Sequence, residues 1–194
     1  MFRMEPRHLR YAIMTGLCMM SFITFWPVLA ADFLTWDDPL NVTGVPQIRA
    51  LDGENFRWMF FGYGPDIRYK PITYLAWAIL YSIDGLRPFI FHLANLGLHS
   101  VNACLLFVLL MRLGDVAGGG RTSGAAKDEK WRLVAAGLIA LLWAVHPLRV
   151  ETTAWVSVLS YSLAAFFLQL AMLNFLACDR DRPFTRQRYY WRAL

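Results

Sequence analysis

Four stretches of this chain carry no Asp, Glu, Lys or Arg, and they set most of what it can become. They run from Tyr11 to Ala31 (21 residues), Pro88 to Met111 (24), Leu133 to Leu148 (16) and Thr152 to Cys178 (27). A helix crosses a bilayer core with about 20 largely apolar residues. Three runs are that long, and Trp131 extends the third through the interface. A fifth run, Pro71 to Ile83, has 13 residues. That is too short to cross and suits a helix on the membrane surface. Charged residues make up 17% of the chain, against about 25% in a soluble domain. This excludes a disordered or fibrous chain and argues against a water-soluble enzyme. The expected fold is all-α integral membrane, one membrane domain over 1–194. Its four spans lie near 11–31, 88–111, 131–148 and 154–178. A long helical outer loop, 32–87, carries interfacial helices; 112–130 is a cytoplasmic loop and 179–194 a cytoplasmic tail.

Lys and Arg placement orients such a chain. Segments 1–10, 112–132 and 179–194 hold 13 basic and 6 acidic residues; segments 32–87 and 149–151 hold 6 and 8. Both termini are therefore expected in the cytoplasm, with a bacterial inner membrane as the location. The net charge of +5 then reflects anchoring on anionic lipid. No basic stripe interleaved with aromatics points to nucleic acid. A cleaved signal peptide is the alternative for the first run, since Arg3, Arg7 and Arg10 precede it and Val28-Leu29-Ala30 resembles a peptidase site. The run exceeds the usual apolar region of such peptides. Cys18, Cys104 and Cys178 form neither a disulfide framework nor a zinc pattern and read as small buried hydrophobes. Gly114 to Ala126 reads as a flexible loop. Asn41-Val42-Thr43 matches a glycosylation sequon, a pattern common by chance.

Polar residues at unusual places suggest where chemistry sits. Asp37 and Asp38 follow the first span, and paired carboxylates supply a general base and a helper. A solvated loop start reads the same two letters more plainly. Asp52-Gly53-Glu54-Asn55 caps an aromatic surface helix. Arg68 and Lys70 precede Pro71 at a helix start, a place for a phosphate or for simple snorkelling. In the second span His92, Asn95, His99 and Asn102 fall on one helical stripe. They line a site or glue helices together. His146, before Pro147, and Glu151 return to the face of Asp37 and Asp38. In the fourth run Ser157 and Tyr161 share a face, and Ser160 and Ala164 form a small-residue pair.

Three ordered segments together resemble a known family. They are Trp36-Asp37-Asp38, then Lys70-Pro71-Ile72-Thr73, then Phe91-His92-Leu93-Ala94-Asn95-Leu96-Gly97-Leu98-His99. They are similar to the N-terminal membrane region of GT-C glycosyltransferases, and more so to tetratricopeptide-repeat proteins related to protein O-mannosyltransferases. His146-Pro147-Leu148-Arg149-Val150-Glu151-Thr152-Thr153-Ala154-Trp155-Val156-Ser157 resembles that family's H-P-x-x-x-E-x-x-A-W-V-S stretch. The resemblance covers about Asp32 to Leu176. It implies an inverting enzyme at the outer membrane face with a polyprenyl-phosphate sugar as donor. Asp37 or Asp38 would be the base on the acceptor hydroxyl. Arg68, Lys70, His92, Asn95, His99, His146 and Glu151 would bind or brace the donor and its phosphate. A basic clamp then suffices without metal or other cofactor. Two departures stand out. Val158-Leu159-Ser160-Tyr161 replaces a charged stretch of the family, and the family continues with more spans and then repeats. A fragment, a split enzyme, or a non-catalytic subunit in a larger membrane complex is the alternative these departures raise.

Overall fold

The computed structural model of the chain describes residues 5–62, 68–117 and 126–177. Among them the regular structure is helical. Seven α-helices are joined by short helical turns: α1 Pro6–Phe25, α2 Gly53–Phe61, α3 Pro71–Asp84, α4 Pro88–Ala117, α5 Ala126–Ala144, α6 Arg149–Ala154 and α7 Leu159–Leu176. Proline opens α1, α3 and α4, and also the turns Pro39–Thr43 and Pro46–Arg49. Its fixed φ and missing N–H suit the first helical position. Three helical stretches are long and apolar enough to cross a membrane: Pro6–Ala30, Pro88–Val116 and Val156–Leu176.

The chain forms two compact units. One comprises Met1–Thr24, His99–Arg149 and Ala164–Leu194. Its core packs Leu17 of α1 with Cys104, Phe107 and Met111 of α4 and Leu133, Ala136 and Ala140 of α5. Arg10 Nη2 meets Glu129 Oε1 at 2.8 Å, and Arg132 Nη2 meets Asp115 Oδ1 at 2.5 Å. The starts of α1 and α5 and the end of α4 therefore share one end of this unit. The thiols of Cys18 and Cys104 lie 3.5 Å apart as free cysteines.

The other unit comprises Phe25–Leu98 and Val150–Leu163. Asp52 caps α2 by accepting the Asn55 N–H at 2.8 Å, as its sequence signature predicts. Gly85 ends α3 at φ +61°, ψ −146°, with its N–H on the Tyr81 carbonyl at 2.7 Å. That backbone region is open essentially to glycine alone. The core gathers Val42, Val45 and Ile48 of the turns, Met59 of α2, Tyr74, Trp77 and Ala78 of α3, Phe91 of α4, and Val156 and Leu159.

Several expected boundaries move. The first span starts at Pro6 and ends in a 3₁₀ turn, Trp26–Ala30. The second continues past Met111 to Ala117, so Gly114–Ala117 is helix and not loop; 118–125 and 179–194 lie outside the described residues. The third helix runs from Ala126 to Ala144 where 131–148 is expected: it begins inside the expected 112–130 loop and ends four residues early, because Pro147 disfavours helical backbone in the residue before it. The fourth run is not one helix from 154. It breaks into α6, an extended Trp155 (φ −83°, ψ 121°), a 3₁₀ turn Val156–Val158, and α7.

Candidate functional site

The break at Trp155 exposes backbone groups that a continuous helix would pair, and buried backbone must find partners. Asn95 Nδ2 donates to the Trp155 carbonyl at 2.7 Å. The Ser157 N–H donates to Asp38 Oδ1 at 3.0 Å, and the Ser157 hydroxyl donates to the same oxygen. The other Asp38 oxygen accepts the Leu34 N–H at 2.8 Å. Asp38 is only 1% exposed. Its carboxylate is thus committed to three donors and ties the first loop to the break.

Asp37 is placed differently. It is half-buried, and its charge acts on Lys70. Asn41 joins the two: its Nδ2 donates to the Asp37 carbonyl at 2.9 Å, and its Oδ1 accepts Lys70 Nζ at 2.5 Å. The Lys70 ammonium also lies 4.8 Å from the Trp77 ring centre and 5.3 Å from that of Tyr74. This is a cation on an aromatic platform. Burial, helped by the neighbouring Arg68, brings Lys70 down to about 8, with Asp37 pulling the other way. Burial pushes the Tyr74 phenol up. Arg68 itself is exposed. A carboxylate, a half-buried ammonium and an exposed guanidinium therefore act on one another by charge in this unit. Such a set can take a proton from a hydroxyl and hold a phosphate.

The stripe on α4 is buried along its length, with His92 and Asn95 fully buried and His99 and Asn102 at 2%. His92 carries a ring whose two nitrogens find no hydrogen bond among the described residues. Backbone of Ala31, Asp32 and Ala154 and the charge of Asp38 surround it. His99 and Asn102 belong to the other unit. There His99 Nε2 pairs with the Ala144 carbonyl at 2.9 Å, and its ring stacks on Trp143 with centroids 5.2 Å apart. Gln169 Nε2 reaches Asn102 Oδ1 at 3.5 Å. Asn95 and His99 thus each serve a carbonyl at a helix break or helix end.

Curated proteins similar to this chain carry one common description. Protein O-mannosyl-transferase Tmtc3 of Drosophila melanogaster is 31% identical over 131 residues, 65% of this chain and 14% of that protein. Protein O-mannosyl-transferase TMTC4 of Homo sapiens is 34% identical over 116 residues, 58% and 15% of the two chains. Protein O-mannosyl-transferase TMTC1 of Mus musculus is 28% identical over 149 residues, 72% and 14%. The chain has protein O-mannosyl-transferase homologues. It spans 14–15% of the length of these curated relatives. No family model matches the chain, and no solved structure matches it.

Beside these O-mannosyl-transferase homologues, the expected site residues sort by place. Asp37, Lys70 and, by its charge, Arg68 come together; Asp38, His92 and Asn95 lie in the same unit, fully buried. Glu151 stands exposed on α6. His146 is exposed in the other unit, where its Nδ1 accepts the Leu148 N–H at 3.2 Å and closes the turn at Pro147. Ser157 and Asn41 are the residues that sequence reasoning passed over as site members. Asn41 stood out only as a sequon letter, and Ser157 as a face-mate of Tyr161 and the last letter of A-W-V-S.

Proposed function

We propose that the chain carries the acceptor-activating and phosphate-binding end of an inverting, GT-C-like membrane glycosyltransferase. The sugar is mannose, the donor a polyprenyl-phosphate sugar, and the acceptor a hydroxyl at the outer membrane face. The observation that carries this reading is the division of labour in the acid pair. Asp38 is used up by Ser157 and Leu34, while Asp37 stays half-exposed beside Lys70. In this reading Asp37 accepts the proton of the acceptor hydroxyl. Lys70 and Arg68 hold the phosphate, which keeps its bond to the lipid and leaves as the sugar C1–O bond breaks. His92 and Asn95 brace this unit from its buried core, and Glu151 contributes from α6 of the same unit. The chain crosses a bacterial inner membrane four times, α5 included, with both termini in the cytoplasm.

The test is sugar transfer from polyprenyl-phosphate mannose to a Ser/Thr peptide in proteoliposomes. Asp37→Asn is expected to abolish transfer, and Lys70→Met to weaken donor binding with the acceptor unaffected. Undiminished transfer by an Asp37→Asn, Asp38→Asn double variant rejects the reading.

One observation favours a second reading, a non-catalytic subunit of a larger membrane complex. Val158 and Leu159, which stand where the family has charges, are 5% and 4% exposed and belong to the core. Stoichiometric co-purification of other membrane subunits, with no transfer by the complex when Asp37 is intact, supports that reading.

A further inference from the structure

A groove of about 260 Å³ runs between α1 and α5, lined by Leu9, Ile13, Gly16, Leu17 and Met20 on one side and Val134, Gly137, Leu138 and Leu141 on the other. On each helix these residues form one stripe at helical spacing. Its walls are almost wholly apolar. The floor is low because two glycines lie there: a Cβ on Gly16 meets nothing within 4 Å, while one on Gly137 meets Ile13 at 3.0 Å.

We propose that this groove seats one acyl chain of an anionic phospholipid. Three observations choose that occupant. First, Leu9 to Met20 spans about 16 Å of helix at 1.5 Å per residue. That is roughly half of a 30 Å hydrocarbon core, one leaflet. A packed transmembrane helix would need a seam along the full thickness. Second, one end of the groove carries the features of a headgroup region. Arg7 and Arg10 are exposed beside Leu9, and Tyr11 and Trp131 stand out 64% and 65% exposed. Basic side chains meet anionic headgroups there and amphipathic rings mark the interface. Third, that end is the one tied by the Arg10–Glu129 ion pair, so the arginine is held at the mouth. The site is independent of Asp37 and Lys70, which lie in the other unit.

The test is native mass spectrometry of the purified full chain from mixed vesicles of phosphatidylglycerol and phosphatidylcholine. One phosphatidylglycerol is expected to stay bound. Gly16→Leu projects into the groove from a Cβ that meets nothing within 4 Å and is expected to lower that occupancy about tenfold, the loss of roughly two buried methylenes. Gly97→Leu, whose Cβ also meets nothing within 4 Å, serves as the control and retains the lipid. Arg7→Gln with Arg10→Gln is expected to retain both lipids equally. Met20→Trp repeats the blocking test should Gly16→Leu lose its helical circular dichroism. The proposal is overturned by equal lipid retention in wild type and both blocked variants, or by wild type that carries no lipid. Retention of only polyprenyl phosphate, or Cys cross-links at Leu138 to a second protein, overturns it equally.

Discussion

Ser157 gives both of its donors, backbone N–H and hydroxyl, to the same oxygen of Asp38. A serine after a helix break and an aspartate 119 positions earlier thereby close a loop that neither could close alone. Hydrogen bonds to charged groups contribute about 1.5–3 kcal/mol each. Asp38→Asn keeps an amide oxygen on Ser157 but sets its NH₂ against the Leu34 N–H and removes the charge, and is expected to cost roughly 3 kcal/mol. Ser157→Ala keeps the N–H and is expected to cost about 1–2 kcal/mol. Asp37→Asn, on the half-exposed neighbour, is expected to change stability by less than about 0.5 kcal/mol. Thermal unfolding of the three variants in one detergent checks this order, and a larger loss for Asp37→Asn than for Asp38→Asn contradicts it.

Lys70 gives a pH dependence with a definite sign. Its ammonium is brought from 10.5 to about 8 by burial and Arg68. The unfolded chain therefore holds a proton between about 8 and 10.5 that the folded chain has lost. Stability is expected to rise with pH across that window and to be flat below it. Lys70→Met should remove the rise. Donor phosphate affinity runs the other way and falls as the pH passes 8, since the neutral amine no longer attracts an anion. Melting temperature and donor titration from pH 7 to 10.5 read both trends.

Gly85 marks the exit from α3 in a backbone region where any side chain is strained. Gly85→Ala is expected to cost about 1–3 kcal/mol although its Cβ has open space. Gly53→Ala, on a helix start with equal room, is the comparison and should cost less. Chemical denaturation of the two variants separates strain from crowding.

His99 is 2% exposed and pairs with the last carbonyl of α5. His99→Phe keeps the ring against Trp143 and leaves the Ala144 carbonyl without that donor. Such an orphaned buried group costs about 1–3 kcal/mol. His99→Gln, which still carries an N–H, should recover part of the loss. Recovery of transfer but not of stability would instead assign His99 to the donor.

Much of the architecture is legible in the letters, because the bilayer and the backbone impose local rules. Charge-free length located the apolar helices Pro6–Ala30, Pro88–Val116 and Val156–Leu176 to within a few residues. Pro71 and Asp52 marked helix starts by chemistry that acts within one turn. The 3-4-3 spacing of His92, Asn95, His99 and Asn102 foretold a buried stripe, since helical geometry alone puts them on one face. What each member of that stripe touches was not legible. Partners such as the Trp155 and Ala144 carbonyls lie 60 and 45 positions away.

The amino-acid sequence by itself determined that the chain is helical and apolar enough to enter a membrane, where α2, α3 and α4 begin, and that two acidic residues stand side by side after the first span. Those properties depend on neighbours within a few residues. Only the tertiary structure decided that Asp38 is buried in hydrogen bonds while Asp37 stays half-exposed with its charge acting on Lys70, and that the fourth apolar run breaks at Trp155. Those outcomes depend on donors and acceptors brought together across 29 to 119 positions, and a break in a helix is tolerated only where distant side chains meet the backbone groups it frees.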